Sequence, residues 1–142
     1  MRRIVYTLLR QVKRDSSKGV FVTKQDKKKL DVLSQIIFDK KGVNIIALDV
    51  RHFSTMADYY LIAEGSVDRH VKAICNAIKE QMKEEGSGLV RCDGEKEGDW
   101  IVMDYGNIMI HLLIPDMREK YALETLWKEA KIIDVVIKVD SK

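Results

Sequence analysis

Residues 98–114 read GDWIVMDYGNIMIHLLI. Two apolar runs, Trp100 to Tyr105 and Ile108 to Ile114, flank the pair Gly106-Asn107. A two-residue link of this type predicts a β-hairpin, because the tight turn needs a positive φ that glycine and asparagine tolerate. Side chains alternate across a strand. Trp100, Val102 and Asp104 therefore share one face of the first strand, and Ile101, Met103 and Tyr105 share the other. On the second strand Met109, His111 and Leu113 point one way, opposite Ile108, Ile110, Leu112 and Ile114. The aliphatic set predicts core. The Met109, His111, Leu113 set has the mixed character of a partner surface, although alternation must also bury one side of each strand.

Working outward, Pro115 ends the second strand. Asp116 suits a helix N-cap with Glu119 three residues on, as in a capping box. That predicts a helix over about residues 117–131, with Ala122, Leu123, Leu126, Trp127 and Ala130 inward. The β-branched tail, Ile132 to Val139, could add an edge strand or pack on the sheet. Upstream, Leu89 to Cys92 reads as a short strand and Asp93 to Asp99 as a polar loop. Val67, Val71, Ile74, Cys75, Ile78 and Met82 recur at helical spacing, predicting a helix over about 67–85 with Ser66 as its N-cap. Asn44 to Val50 and Tyr59 to Ala63 read as neighbouring strands. Leu30, Leu33, Ile36 and Ile37 mark a first helix over about 27–40, ended by Gly42. The order predicts an α/β fold: a mixed sheet of about five strands flanked by helices.

Across the 142 residues the formal charge is +3, but that average hides two unlike pieces. Residues 1–29 carry ten Lys and Arg against two Asp, a net of +8; residues 30–142 carry fifteen against twenty acids, a net of −5. A nucleic-acid reading based on the overall charge would credit the wrong segment. The chain divides by this reading into a basic, flexible extension (1–29), a folded domain (30–131) and a tail (132–142). The extension can be a solvated arm, an Arg-rich organelle transit peptide, or a basic arm touching ribosomal RNA or another polyanion. No apolar run approaches the ~18–20 residues that cross a bilayer, so no membrane association is expected. Cys75 and Cys92 lie 17 apart without a CxxC, which is neither a disulfide framework nor a zinc pattern and fits a reducing compartment.

The chain carries neither G-x-G-x-x-G nor G-x-x-x-x-G-K-[ST], nor H-E-x-x-H or G-x-S-x-G. His52, His70 and His111 have no metal-ligand spacing. Gly65-Ser66, between strand and helix, resembles the opening of a nucleotidyltransferase site, but that chemistry needs paired carboxylates to hold Mg²⁺ and no D-x-D occurs. Asp49, Asp58 and Asp104 could still meet in space as an acid–base or metal-binding set. No catalytic, cofactor or metal residue is assigned. Cys75 is expected to be core. What remains is interaction: Trp, Tyr, Met and Arg, the types that lead in interface hot spots, concentrate in the hairpin and last helix.

The motifs resemble one family, the ribosomal silencing factor (Iojap-like) family. They are NIIALDV (44–50), ADYYLIAEG (57–65), Arg69 to Ile74, GDWIVMDYG (98–106) with His111 following, and REKYALETLW (118–127). The resemblance implies a nucleotidyltransferase-like α/β fold that has lost catalysis, without a cofactor. It implies binding to the large ribosomal subunit through universal large-subunit protein fourteen, blocking the small subunit and repressing translation in a bacterial cytoplasm. In organelle relatives the same binding implies large-subunit assembly, and import of the Arg-rich N-terminus is then the alternative location. Carried onto this chain, the implied contact residues are Trp100, Asp104, His111, Leu113, Met117, Arg118 and Tyr121. Trp100 and Tyr121 would be aromatic anchors, and Asp104 and Arg118 would make charge-assisted hydrogen bonds. Trp127 is expected to be core. An acidic domain suits a basic ribosomal partner. An exposed apolar patch also makes a homodimer of the free chain an option.

Overall fold

The computed structural model describes residues 2–6, 22–52, 54, 56–126, 128 and 130–139. In chain order the elements are β1 (Arg2–Tyr6), α1 (Lys24–Asp39), β2 (Val43–Asp49), β3 (Tyr59–Glu64), α2 (Asp68–Glu84), β4 (Arg91–Asp93), β5 (Trp100–Asp104), β6 (Ile108–Leu113), α3 (Pro115–Tyr121), α4 (Leu123–Leu126), β7 (Lys131–Ile133) and β8 (Val135–Val139). Six strands form one mixed sheet in the order β4-β5-β6-β3-β2-β7. Only β3 and β6 run parallel; the other neighbours are antiparallel. The expected α/β architecture is present, with one strand more than the sequence patterns suggested.

The hairpin forms as its sequence predicts. Gly106 takes φ 89°, and the Tyr105 N–H donates to the Ile108 carbonyl to close the two-residue turn. Strand alternation then sorts the core into two layers. Leu30, Leu33, Ile37, Val71, Ile74, Ile78 and Met82 from α1 and α2 pack on Ile101, Met103, Ile108, Ile110 and Leu112. The opposite sheet face carries Ile46, Leu48, Tyr60, Ile62, Met109 and Leu113, packed with Leu123 and Ala130. Two helices of 16 and 17 residues cover the first face. Among the described residues, the helical cover beyond β6 is the 7-residue α3 and the 4-residue α4.

Several local expectations are corrected. The expected domain boundary at residues 29/30 falls inside α1, whose N-cap is Thr23; its hydroxyl accepts the Asp26 N–H at 3.1 Å. Residues 15–29, which read as either a linker or the ragged start of a helix, lie outside the described residues as far as 21, and Lys24 to Lys29 are the first turns of α1. Ser66 is not the cap of α2. Val67 holds that position without a side-chain bond, while the Ser66 N–H donates to the His70 Nδ1 at 2.8 Å. Asp116 is not a cap either: Ile114 occupies the N-cap and Pro115 the first turn, where its missing N–H costs nothing. The single helix expected over 117–131 is broken, because Ala122 enters the left-handed region at φ 42°. Leu123 and Ala130 are buried as expected, whereas Trp127 lies outside the described residues.

The tail adds the expected edge strand and then a second strand that the sequence did not suggest. β7 extends the sheet beside β2, and β8 pairs with β1 in a separate two-stranded sheet. Along its other edge β8 is satisfied by α1: the Val136 N–H donates to Asp31 Oδ1 (2.9 Å), and the Lys138 N–H donates to Gln35 Oε1 (2.7 Å). Val135 and Ile137 complete the core beneath. The segment read as a tail is thus an integral part of the fold, and Arg2–Tyr6 of the basic extension forms its partner strand.

Candidate functional site

The antiparallel register of β5 and β6 places Trp100 opposite Leu113, Val102 opposite His111 and Asp104 opposite Met109. Six side chains are therefore brought onto one sheet face as three cross-strand pairs. α3 follows directly from β6 and carries Met117 onto the same apolar layer, against which Trp100 and Val102 also pack. Tyr121, at the end of α3, lays its ring against Trp100 with centroids 4.8 Å apart. Tyr121 is 42% exposed and Trp100 partly so, which makes them the solvent-facing part of this layer.

The layer beneath is anchored by His111. Its ring lies 4.9 Å from that of Tyr60, and its Nδ1 accepts the Trp100 indole N–H at 3.2 Å. An accepting Nδ1 fixes the neutral tautomer with hydrogen on Nε2, and that atom is buried without a partner among the described residues. Burial lowers the His111 pKa to about 4, so the ring stays neutral near pH 7. The indole is thereby aimed by a bond from below while its ring is presented outward.

The seven expected contact residues therefore separate by depth. Trp100, Met117 and Tyr121 reach the surface. Leu113 is 0% and His111 6% exposed, so both lie beneath that surface in the free chain. Asp104 accepts the Gly106 N–H at 2.8 Å and holds the hairpin turn. The Arg118 guanidinium donates to the Asn44 carbonyl and lies 3.7 Å from Glu64, tying α3 to the start of β2 and the end of β3. Val102 and Tyr60 belong to the same face and were absent from the expected set. The parallel pairing of Tyr60 with Met109 aligns Tyr60 there, and no local sequence pattern encodes that pairing.

The carboxylate alternative finds no support in the geometry. Among the described residues, Asp49, Asp58 and Asp104 are not gathered into a common cluster. Asp49 is committed to Arg51, with Nη2 to Oδ2 at 2.6 Å. Burial works to raise the Asp49 pKa, but the Arg51 hydrogen bonds outweigh it and hold the carboxyl below its ordinary range.

Fold and face together define a small α/β domain with one heavily covered sheet surface and one thinly covered, aromatic-rimmed surface. A family model described as "Ribosomal silencing factor during starvation" matches residues 23–142. Ribosomal silencing factor RsfS of Bacillus subtilis (strain 168) is 38% identical over 97 residues, 68% of this chain and 82% of that protein. Mitochondrial assembly of ribosomal large subunit protein 1 of Mus musculus is 29% identical over 101 residues, 69% of this chain; the match spans 44% of that protein. A crystal structure of a Chromobacterium violaceum protein superposes with a TM-score of 0.69 at 31% identity, covering 78% of this chain and 90% of that one. The chain belongs to the ribosomal silencing factor family. The match includes the residues after Trp127, which the sequence motifs alone left outside the family pattern.

Proposed function

We propose that this protein represses translation by binding the large ribosomal subunit with the Trp100–Tyr121 face and sterically blocking the small subunit. The direct partner in this reading is universal large-subunit protein fourteen. The observation that carries it is the Trp100–Tyr121 ring pair, tilted 43° at 4.8 Å, partly exposed, with Trp100 held from below by His111. A preorganised aromatic pair loses little side-chain freedom on docking, so its contact area converts well into affinity. Met117 adds an apolar contact beside the pair. Asp104 and Arg118 already serve in-chain bonds and would contribute mainly by fixing the turn and α3. The net −5 of residues 30–142 favours encounter with a basic ribosomal protein. The proposed location is the cytoplasm of a bacterial cell.

A second reading, assistance in large-subunit assembly, is favoured by the name of the mouse relative. It uses the same face and differs in when the subunit is met. The basic extension is proposed to add ribosomal RNA contact, and a homodimer through the same apolar face is the proposed free form.

The test is co-sedimentation with isolated large subunits, followed by addition of small subunits. Excess protein should hold large subunits apart from full ribosomes. The Trp100→Ala, Tyr121→Ala double variant should lose both effects. Binding by the double variant at undiminished affinity refutes the proposed face.

A further inference from the structure

On the sheet surface away from that face, α2 and β4 bring together residues that the sequence keeps far apart. Cys75 is fully buried on α2, and Cys92 lies on β4. Their sulfurs are 3.9 Å apart. Glu95, from the loop after β4, adds a carboxylate, and ligand atoms of all three residues lie within 4.8 Å of one another. Tyr105 is a second, independent observation. It is 7% exposed, and its hydroxyl is buried without a hydrogen-bond partner among the described residues. Tyr105 is two residues on from Met103, the cross-strand partner of Cys92, and belongs to the same core cluster as Cys75.

We propose that Cys75, Cys92 and Glu95, with the Tyr105 phenol beside them, form a binding site for a thiophilic divalent cation of the zinc class. Distance supports this occupant. Two thiolates bound ~2.3 Å from one tetrahedral ion stand about 3.8 Å apart, close to the spacing found here. A disulfide would instead require the sulfurs to close to about 2.05 Å. Charge supports it too. Two thiolates and one carboxylate around a divalent ion leave a single negative charge, and the Lys79 ammonium, ion-paired to Glu95, cancels it. The partly buried cluster is thus neutral with the ion bound and neutral with both thiols protonated.

Burial raises both thiols, Cys92 to about 12, so each enters the site as S–H. Binding forms two metal–sulfur bonds, breaks two S–H bonds and releases two protons to solvent, with no change of oxidation state. The bound ion would staple β4 and the 93–99 loop to α2. It lies on the helix-covered side of the sheet, so it acts on stability rather than on the docking face.

Cobalt(II) is the probe, added to the reduced full-length protein. One molar equivalent should produce the intense thiolate charge-transfer and visible bands of a tetrahedral site. Zinc should bleach them and raise the melting temperature. The Cys92→Ala variant should abolish the bands, and Glu95→Gln should weaken binding by at least about tenfold. Circular dichroism checks that each variant is folded, and Cys92 is only partly buried, so its truncation is tolerable. Absence of charge-transfer bands with the folded, reduced protein overturns the proposal. So does unchanged cobalt binding by Cys92→Ala. Air oxidation to a Cys75–Cys92 disulfide, combined with no cobalt uptake when reduced, overturns it in favour of a redox pair.

Discussion

Acidification should weaken this fold through His111, and the size of the effect follows from its surroundings. The ring is 6% exposed, lies against Tyr60 and Trp100, and accepts the indole N–H on Nδ1. Adding a proton to Nδ1 removes that acceptor and places a charge inside an apolar layer. The folded pKa is accordingly lowered from 6.5 to about 4 by burial. An unfolded chain takes up this proton near its ordinary value, so between the two values the unfolded state holds more protons than the native one. Stability contributed by neutral His111 is therefore complete above about pH 6.5 and falls as pH drops toward about 4. At ~1.4 kcal/mol for each pH unit in that window, the loss reaches about 3 kcal/mol. The lowered Asp49 carboxyl also loses stability on acidification, but below its ordinary value of 3.8 and hence outside the window. The assay is urea unfolding followed by tryptophan fluorescence and circular dichroism over about pH 4.5–7. His111→Gln has no titrating ring. It should be less stable than the parent near pH 7, and the gap should shrink steadily on acidification. Parallel pH profiles for the two proteins would refute the neutral, buried state of His111.

Three further outcomes separate surface from support. Tyr121→Ala should leave stability within about 1 kcal/mol, since the ring is substantially exposed, while weakening large-subunit binding by about 2 kcal/mol, roughly thirtyfold, in a sedimentation titration. Leu113→Ala should do the reverse, costing ~2–5 kcal/mol in denaturant unfolding because a fully buried side chain leaves a cavity, with affinity retained once folded. Replacing Arg10, Lys13, Arg14 and Lys18 by Gln, which spares β1 and α1, should flatten the salt dependence of ribosome binding if the basic extension meets RNA; an unchanged slope excludes that contact.

The elements that the sequence revealed most clearly are those whose signals are local. The Gly106-Asn107 hairpin rests on one glycine's tolerance of positive φ and on strict alternation, both properties of neighbouring residues. The stripe from Val71 to Met82 on α2 is equally local. The failures lie where local propensity did not decide. Ala122, the best of helix formers by propensity, takes φ 42° and ends α3. Ser66 has a side chain suited to capping, but the His70 ring takes its N–H, and that ring is itself held by the Lys40 carbonyl at 2.6 Å. For the candidate site, alternation grouped Trp100 with Asp104 and His111 with Leu113, each within its own strand, and the β5/β6 register put the two groups on one face. Alternation could not say which would be covered.

The sequence by itself determined the family, the α/β class, the hairpin and which side chains share a face within each strand. Those depend on residue identity and on periods of 2 and 3.6, which are written along the chain. Tertiary structure alone decided depth and company. It buried His111 and Leu113 beneath Trp100 and Tyr121, turned the apolar tail into β7 and β8, and set Cys75 and Cys92, 17 residues apart, at 3.9 Å. Burial and long-range proximity are sums over distant segments meeting in three dimensions. A one-dimensional pattern carries the facing of a side chain but not what comes to rest upon it.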